Sequence, residues 1–400
     1  MELLRPVDLS PGFDLPSVLG QVRLVLDGTS RPLAPSADAR PLPVADEDQE
    51  LLNAAAVVLT TSGSSGDPKR VVLDRSALLA SAAGTHERLG GPGQWLLALA
   101  PQHVAGFQVL VRSVVAGTDP VVLDQAGGFT TSGFAAAVAA MRPTGRRYAS
   151  LVPTQLTRLL AEPSGVAALE RLDAVLVGGA ALPQATRERL ASTEVRASTT
   201  YGMTETAGGC CYDGHPLDGV QVRVGEAGRL SVGGPTLARG YLGRPDLTAR
   251  RFSTHPSGIR WFRTDDVGRH TVDGVTVLGR LDDVINTGGV KVGPGEVTEA
   301  LLTLPWITAA YVVGVPDPDW GERVAAAVVL GADATVTDSA DLVPLVRDAL
   351  RRALPASALP RQVIALDRLP VLAIGKPDRL ALRALLACNG GRMGGRPDLT

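Results

Sequence analysis

The chain has 400 residues, 45% of them hydrophobic and 20% charged, with a formal net charge of -2. That length exceeds one ordinary core and implies two domains or more, while near-neutral charge gives no electrostatic reason to expect nucleic acid or an anionic membrane as partner. No apolar run reaches the ~18 residues that span a bilayer, the N-terminus lacks the basic-then-apolar layout of a secretory leader, and the cysteines, Cys210, Cys211 and Cys388, make neither a disulfide framework nor a metal set, so the cytoplasm is the expected compartment.

Residues 1–50 are rich in Pro and Asp, with a candidate strand at Gln21–Leu26. A buried-strand pattern, Ala54–Leu59, runs into a Ser/Gly turn ending at Lys69, and a helix is expected at Ser76–Leu89. Strand and helix then alternate: Trp95–Ala100 with Gly106–Ala116, Asp119–Leu123 with Gly133–Met141, Tyr148–Val152 with Thr154–Leu160, and Ala174–Val177 with Gln184–Leu190. That alternation predicts an α/β sheet covered on both faces. After Tyr201 the segments Val220–Val224, Gly228–Val232, Gly258–Arg263 and Thr276–Leu278 are short and turn-punctuated, which predicts a small antiparallel region. Beyond Arg280 a helix (Gly295–Thr303), two strands (Ile307–Val315, Arg323–Leu330), a helix (Ala340–Leu354), a strand (Gln362–Leu366) and a helix (Leu380–Ala387) predict a separate α+β unit. The expected organisation is a large N-terminal domain over 1–279, a small mobile C-terminal domain over 280–388, and a flexible tail over 389–400.

Lysine is rare here: it occurs at Lys69, Lys291 and Lys376, within a Lys+Arg total of 39, and each lies in a Gly/Pro-rich turn. A compact ammonium retained against so strong an arginine bias marks candidate sites. The turn Thr61, Ser62, Gly63, Ser64, Ser65, Gly66 and Lys69 combines backbone N–H groups, hydroxyls and one cation, which suits a polyphosphate; no Gly-Lys-Ser/Thr closes it, so it is not a Walker loop. In Tyr201-Gly202-Met203-Thr204-Glu205 an aromatic ring can stack on a base, Thr204 can bond a phosphate or simply cap a helix, and Glu205 offers a hard oxygen ligand for Mg²⁺. Asp266, just after a strand, can accept both hydroxyls of a ribose or belong to an ordinary Asp turn. Arg112 stands in an apolar helical stretch, where a charge needs a partner, either a substrate carboxylate or an internal ion pair.

In order and spacing these segments resemble the adenylate-forming superfamily of acyl-CoA synthetases, peptide-synthetase adenylation domains and luciferases. The resemblance covers roughly residues 55–386. It rests on Thr61–Lys69, the Gly178-Gly179-Ala180 loop, Tyr201–Glu205, Gly228-Arg-Leu with Arg239-Gly-Tyr-Leu242, Arg263-Thr-Asp-Asp266 (Asp265 standing where glycine is usual), Gly279-Arg280-Leu-Asp282 and Gly375-Lys376. Within that superfamily Pro101-Gln-His103, followed by Arg112, is most similar to the o-succinylbenzoate–CoA ligases of menaquinone biosynthesis. The segment before the phosphate loop, about 55 residues, is shorter than in most relatives.

The resemblance implies ATP-dependent acid–thiol ligation through an acyl-adenylate, with ATP, Mg²⁺ and coenzyme A as cofactor and co-substrates. It implies Lys376, Thr204, Glu205 and His103 as catalytic, and Thr61–Gly66, Lys69, Gly178–Ala180, Tyr201, Gly202, Asp266 and Arg280 around the nucleotide. It further implies His103, Arg112 and Gly179 around an aromatic dicarboxylic acid, Asp282 as hinge and Glu205 toward metal. His103 is also readable as a packed core histidine, and Lys291 equally as facing CoA or as structural. Another aryl- or acyl-acid ligase, an adenylation enzyme loading a carrier protein, and a non-catalytic nucleotide-binding protein on the same fold stay open, as does a homodimer.

Overall fold

A computed structural model describes residues 2–4, 6–36, 42–45, 48–61, 68–331, 339–370 and 377–388. Its centre is a sheet of seven strands in the order His215–Pro216, Gly208–Tyr212, Ala197–Met203, Ala174–Gly178, Arg147–Leu151, Gln94–Leu97, Val121–Val122. The five from Ala197–Met203 onward pair in parallel, and Gly208–Tyr212 folds back antiparallel. Alternate residues enter two different cores, as a two-per-repeat strand requires. Trp95, Leu97 and Leu176 pack with helices Leu15–Leu26, Arg75–Arg88 and Val104–Val115, whereas Leu96, Val175 and Val177 pack with Thr131–Ala139, Pro153–Leu160 and Pro163–Glu170. The sheet is thus covered on both faces, as the alternation of elements predicts.

Two expectations need correction. Gln21–Leu26 is not a strand but the end of helix Leu15–Leu26, whose buried residues Val18, Leu19, Val22, Val25 and Leu26 recur at helical spacing. A window opening at Gln21 misses the first half of that stripe. The Ser/Gly turn does not lead into a helix either. Strand Ala55–Thr61 is answered by antiparallel strand Lys69–Asp74, registered Thr61 to Lys69, and helix Arg75–Arg88 starts only after Asp74 caps it by accepting from Ala77 N at 2.8 Å. The run Val71-Val72-Leu73 is fully buried and β-forming, so a strand stands between the turn and the helix, which itself begins where expected.

A second, antiparallel sheet joins Gln221–Val224, Arg229–Gly233, Arg260–Thr271 and Phe252–Thr254, with Gly274–Arg280 on Arg260–Thr271. From Ile285 onward a third unit packs helices Pro294–Leu302 and Ser339–Leu350 on strands Ile307–Asp317 and Gly321–Leu330, around Val297, Leu301, Val324, Ala326 and Val346. Among the described residues that core takes no member from before Ile285. Strand Gln362–Ala365 and helix Arg379–Cys388 complete it. Among the described residues no helix is long and apolar enough to cross a membrane.

The return from Ala197–Met203 to Gly208–Tyr212 is closely packed. A Cβ on Gly202 would lie 2.0 Å from Gly208 O. Gly202→Ala is therefore expected to force the two strands apart and to cost about 3 kcal/mol, read as a lower urea midpoint at unchanged slope.

Candidate active site

Parallel strands present their carboxyl ends on one edge of a sheet, where ligands of α/β proteins gather. Gly178 ends its strand there beside Thr200; a Cβ on it would stand 2.3 Å from Thr200 Oγ1, and Gly179 turns the chain away at φ +88° toward Ala180. Tyr201, Gly202 and the 3₁₀ turn Thr204–Thr206 leave the next strand on the same edge. Thr206, not Thr204, ties that turn: its hydroxyl accepts from Met203 N at 2.9 Å and donates to Gly208 O at 2.8 Å. Half-buried His103 precedes helix Val104–Val115 on the connection from strand Gln94–Leu97, again at the carboxyl edge.

Glu205 is held from two sides. Ala238 N donates to its carbonyl at 2.8 Å, and the Tyr241 phenol donates to its Oε1 at 2.8 Å. Burial, and next the Glu205 carboxylate, push the Tyr241 phenol up, so it stays a neutral donor. Gly240–Tyr241 pairs with Val72 and Val71 of the N-terminal hairpin, and Lys69 Nζ lies 5.9 Å from the Tyr241 ring centroid. Lys69, Tyr241 and Glu205 thus form one connected group, of which Tyr241 was not singled out from sequence. Ser62, Gly63, Ser64, Ser65 and Gly66 lie outside the described residues; Thr61 and Lys69 close the strand pair on either side, Thr61 Oγ1 donating to Lys69 O at 3.3 Å.

The second connected group crosses between sheets. Tyr201 Oη donates to Asp266 Oδ2 at 2.7 Å, and burial, then Asp266, push this phenol up as well. Asp266 sits in a bulge: Arg263 and Val267 are opposed by Ser231 and Arg229, so Thr264, Asp265 and Asp266 face a single intervening residue, Leu230. Buried Thr264 pins the bulge, donating to Leu230 O at 2.8 Å and accepting from Asp266 N at 3.0 Å. Arg280, registered opposite Asp266, places Nη1 3.9 Å from Asp266 Oδ1 and Nη2 3.6 Å from Asp265 Oδ2.

The 3₁₀ turn Leu281–Asp283 follows at once, and Arg379 grips Asp283 through both guanidinium nitrogens, one at 3.2 Å. Asp282 is therefore flanked by Arg280, anchored on the antiparallel sheet, and by Asp283, anchored on the last helix. Lys376 lies outside the described residues. Lys291 is exposed on strand Val290–Val292.

Arg112 is not at the edge but in the core, 3% exposed. Its guanidinium carbon lies 4.9 Å from the Trp95 ring centroid, Nη2 is 3.4 Å from Tyr212 Oη, and Nε has no hydrogen-bond partner among the described residues. The internal ion pair is not found there: no described carboxylate lies within bridging distance. Burial, with Arg112 nearby, pushes His86 down to about 4, so it is neutral and adds no charge. One turn earlier Gln108 Nε2 donates to Ala207 O at 2.7 Å, behind Glu205, so Gln108 and Arg112 face the strands that carry the motif.

The family of AMP-binding enzymes matches residues 14–242, and its C-terminal domain matches residues 296–376. A probable 2-succinylbenzoate–CoA ligase of Mycobacterium tuberculosis is 45% identical over 334 residues, 82% of this chain and 83% of the relative. The 2-succinylbenzoate–CoA ligase of Escherichia coli is 32% identical over 302 residues, 73% of this chain and 61% of the relative. The fold is that of the Bacillus subtilis o-succinylbenzoate CoA synthetase in complex with its acyl-adenylate intermediate, with a TM-score of 0.70 over 91% of this chain and 81% of that one, at 24% identity. The chain belongs to the family of AMP-binding enzymes.

Proposed function

We propose that this chain ligates an aromatic dicarboxylic acid, 2-succinylbenzoate, to coenzyme A at the expense of ATP, in the cytoplasm. A carboxylate oxygen attacks the α-phosphorus, the α–β anhydride breaks, and diphosphate leaves. The CoA thiolate then attacks the acyl carbon of the mixed anhydride, and AMP leaves. No side-chain nucleophile is needed; the residues supply orientation and charge at each centre. Lys69 with the 61–66 turn holds phosphates, Thr204 donates to one, and Gly178–Ala180 and Tyr201 border the nucleoside. Asp266, fixed by Tyr201 and Thr264, accepts the ribose hydroxyls, and Arg280 meets the same end. Gly179 and His103 leave room for the acid and orient it.

The observation that carries this reading is the convergence of Lys69–Tyr241–Glu205 and Tyr201–Asp266–Arg280 on one sheet edge. The M. tuberculosis and E. coli relatives support the choice of acid and thiol. Glu205 fits Mg²⁺, which takes one or two carboxylates plus phosphate and water rather than a protein cage; the described residues hold no cluster of three or more potential metal ligands. Bound there, Mg²⁺ would neutralise phosphate charge. The small domain begins after Gly279, turns about Asp282 and brings Lys376 to the reacting centre. Incubation with ATP, Mg²⁺ and a panel of acids should release diphosphate with 2-succinylbenzoate above other acids, and added CoA should give the thioester by mass spectrometry. Loading of a phosphopantetheine carrier in place of CoA would move the activity to a stand-alone adenylation enzyme.

Lys376→Ala should slow adenylate formation by about 10²–10³, a loss of roughly 3–4 kcal/mol of charge stabilisation. Thioester formation from pre-made acyl-AMP should persist; equal loss in the two half-reactions would remove this role from Lys376.

Arg112, a buried guanidinium without a described carboxylate partner, is the candidate for the benzoate carboxylate, directly or through water. Arg112→Leu should weaken 2-succinylbenzoate by about 2–4 kcal/mol and leave ATP affinity unchanged. A monocarboxylate analogue should lose little. Equal discrimination between the two acids in wild type and variant would make Arg112 a packing residue for Trp95 and Tyr212.

A further inference from the structure

The turn that carries Thr204 and Glu205 ends on a residue in an uncommon conformation. Ala207 lies in the left-handed region at φ 51° and ψ 37°, which a residue with a Cβ rarely adopts. Its N–H closes the turn by donating to Thr204 O at 3.1 Å. Its carbonyl is held from outside the turn: Ser81 Oγ donates to Ala207 O at 3.0 Å, and Gln108 Nε2 donates to it at 2.7 Å. The two donors belong to helices Arg75–Arg88 and Val104–Val115, 126 and 99 positions from Ala207, and both are fully buried. An apolar side chain would fill the place of Gln108 without leaving its Oε1 unpartnered among the described residues. What the amide adds there is the bond to Ala207.

We propose that Gln108 and Ser81 are positioning residues for the metal side of the site: by holding Ala207 left-handed they fix the direction in which the Glu205 carboxylate leaves the turn. This rests on the reading of Glu205 as the residue that faces Mg²⁺. The path from the two helices to that carboxylate is short. Ala207 holds Thr204 through its N–H, and Glu205, between them, is fixed at its carbonyl by Ala238 N at 2.8 Å. The half-buried Glu205 side chain then meets the Tyr241 phenol at 2.8 Å. Thr206 ties the turn to its own two strands, whereas Ser81 and Gln108 tie it to the helices behind them. Helix Val104–Val115 also follows His103 and carries Arg112 one turn beyond Gln108, so one element sets the spacing between the acid end and the metal end.

The test uses the full-length protein and an ATP analogue with a methylene between the α- and β-phosphorus. Its binding is measured by calorimetry with Mg²⁺ and with EDTA, and melting temperature is recorded on every variant. In the wild type Mg²⁺ should tighten the analogue. Gln108→Met, which keeps the volume and loses the donor, should reduce that tightening about fivefold and raise KM for MgATP in diphosphate release by a similar factor. Affinity for the analogue in EDTA and for AMP should stay within about twofold, because neither calls on the Glu205 carboxylate. Ser81→Ala should act in the same direction. Adding Ala207→Gly to Gln108→Met should return most of the Mg²⁺ response, since glycine adopts the left-handed region without the two donors. If Gln108→Met does not fold, Ser81→Ala carries the same comparison. An unchanged Mg²⁺ response in Gln108→Met, an equal loss with Mg²⁺, EDTA and AMP, or no recovery with Ala207→Gly would overturn the proposal and leave Gln108 a packing residue. A wild type that binds the analogue equally with and without Mg²⁺ would instead overturn the reading of Glu205.

Discussion

A hydrogen bond of 2.7 Å from Tyr201 to Asp266 reaches between two sheets that share no strand. The candidate site exists because of that join. Tyr201 belongs to the central sheet and Asp266 to the antiparallel one. The hairpin that carries Lys69 reaches the same place through Tyr241 and Glu205. Three separately formed frames therefore hold one set of charges, and two phenols, buried Tyr241 and half-buried Tyr201, stitch them. Both phenols are kept neutral by burial and by the carboxylates they serve, so each donates reliably across physiological pH. An in-line transfer needs donors already aimed where charge develops, and rigid frames supply this more precisely than loops would.

The α/β character was legible because the parallel strands are buried on both faces and read as short unbroken apolar runs such as Ala174–Gly178. The antiparallel region and the C-terminal α+β unit were legible from turn punctuation and from the change of period. What failed was local and had local causes. Helix Leu15–Leu26 carries a helical stripe, but Pro16 and the Asp/Pro-rich surroundings hid its first turn. The strand Lys69–Asp74 was passed over because a Gly-rich turn between a strand and a helix is the familiar phosphate-binding order. The β-branched run Val71-Val72 carried the contrary signal.

At the site, residues whose side-chain type names a chemistry were legible: a lysine in a hydroxyl-rich turn, a Thr-Glu pair, a lone Asp after a strand. Residues that act by holding others were not. Tyr241 lay in a quoted segment, but nothing in one dimension says that its phenol meets Glu205, 36 positions away. Thr204 read as the possible cap of that turn, and Thr206, whose hydroxyl closes it, was not singled out. The bulge at Thr264–Asp266 depends on a register between strands about 30 residues apart in sequence, and such a register is set by pairing, not by local pattern.

The placement of the ion pairs bears on how the two halves of the reaction can share one site. Arg280 is tied to Asp265 and Asp266 on the large unit, and Asp283 is tied to Arg379 on the small one. Between these anchors lie only Leu281 and Asp282, in a short 3₁₀ turn. Any rotation of the C-terminal unit is thereby concentrated on a few backbone dihedrals, because both neighbours resist movement. The two connected groups around Glu205 and Asp266 lie wholly before the turn, the last of their residues being Arg280. A rotation at this turn would leave the two connected groups in place, because both are built from residues that precede it.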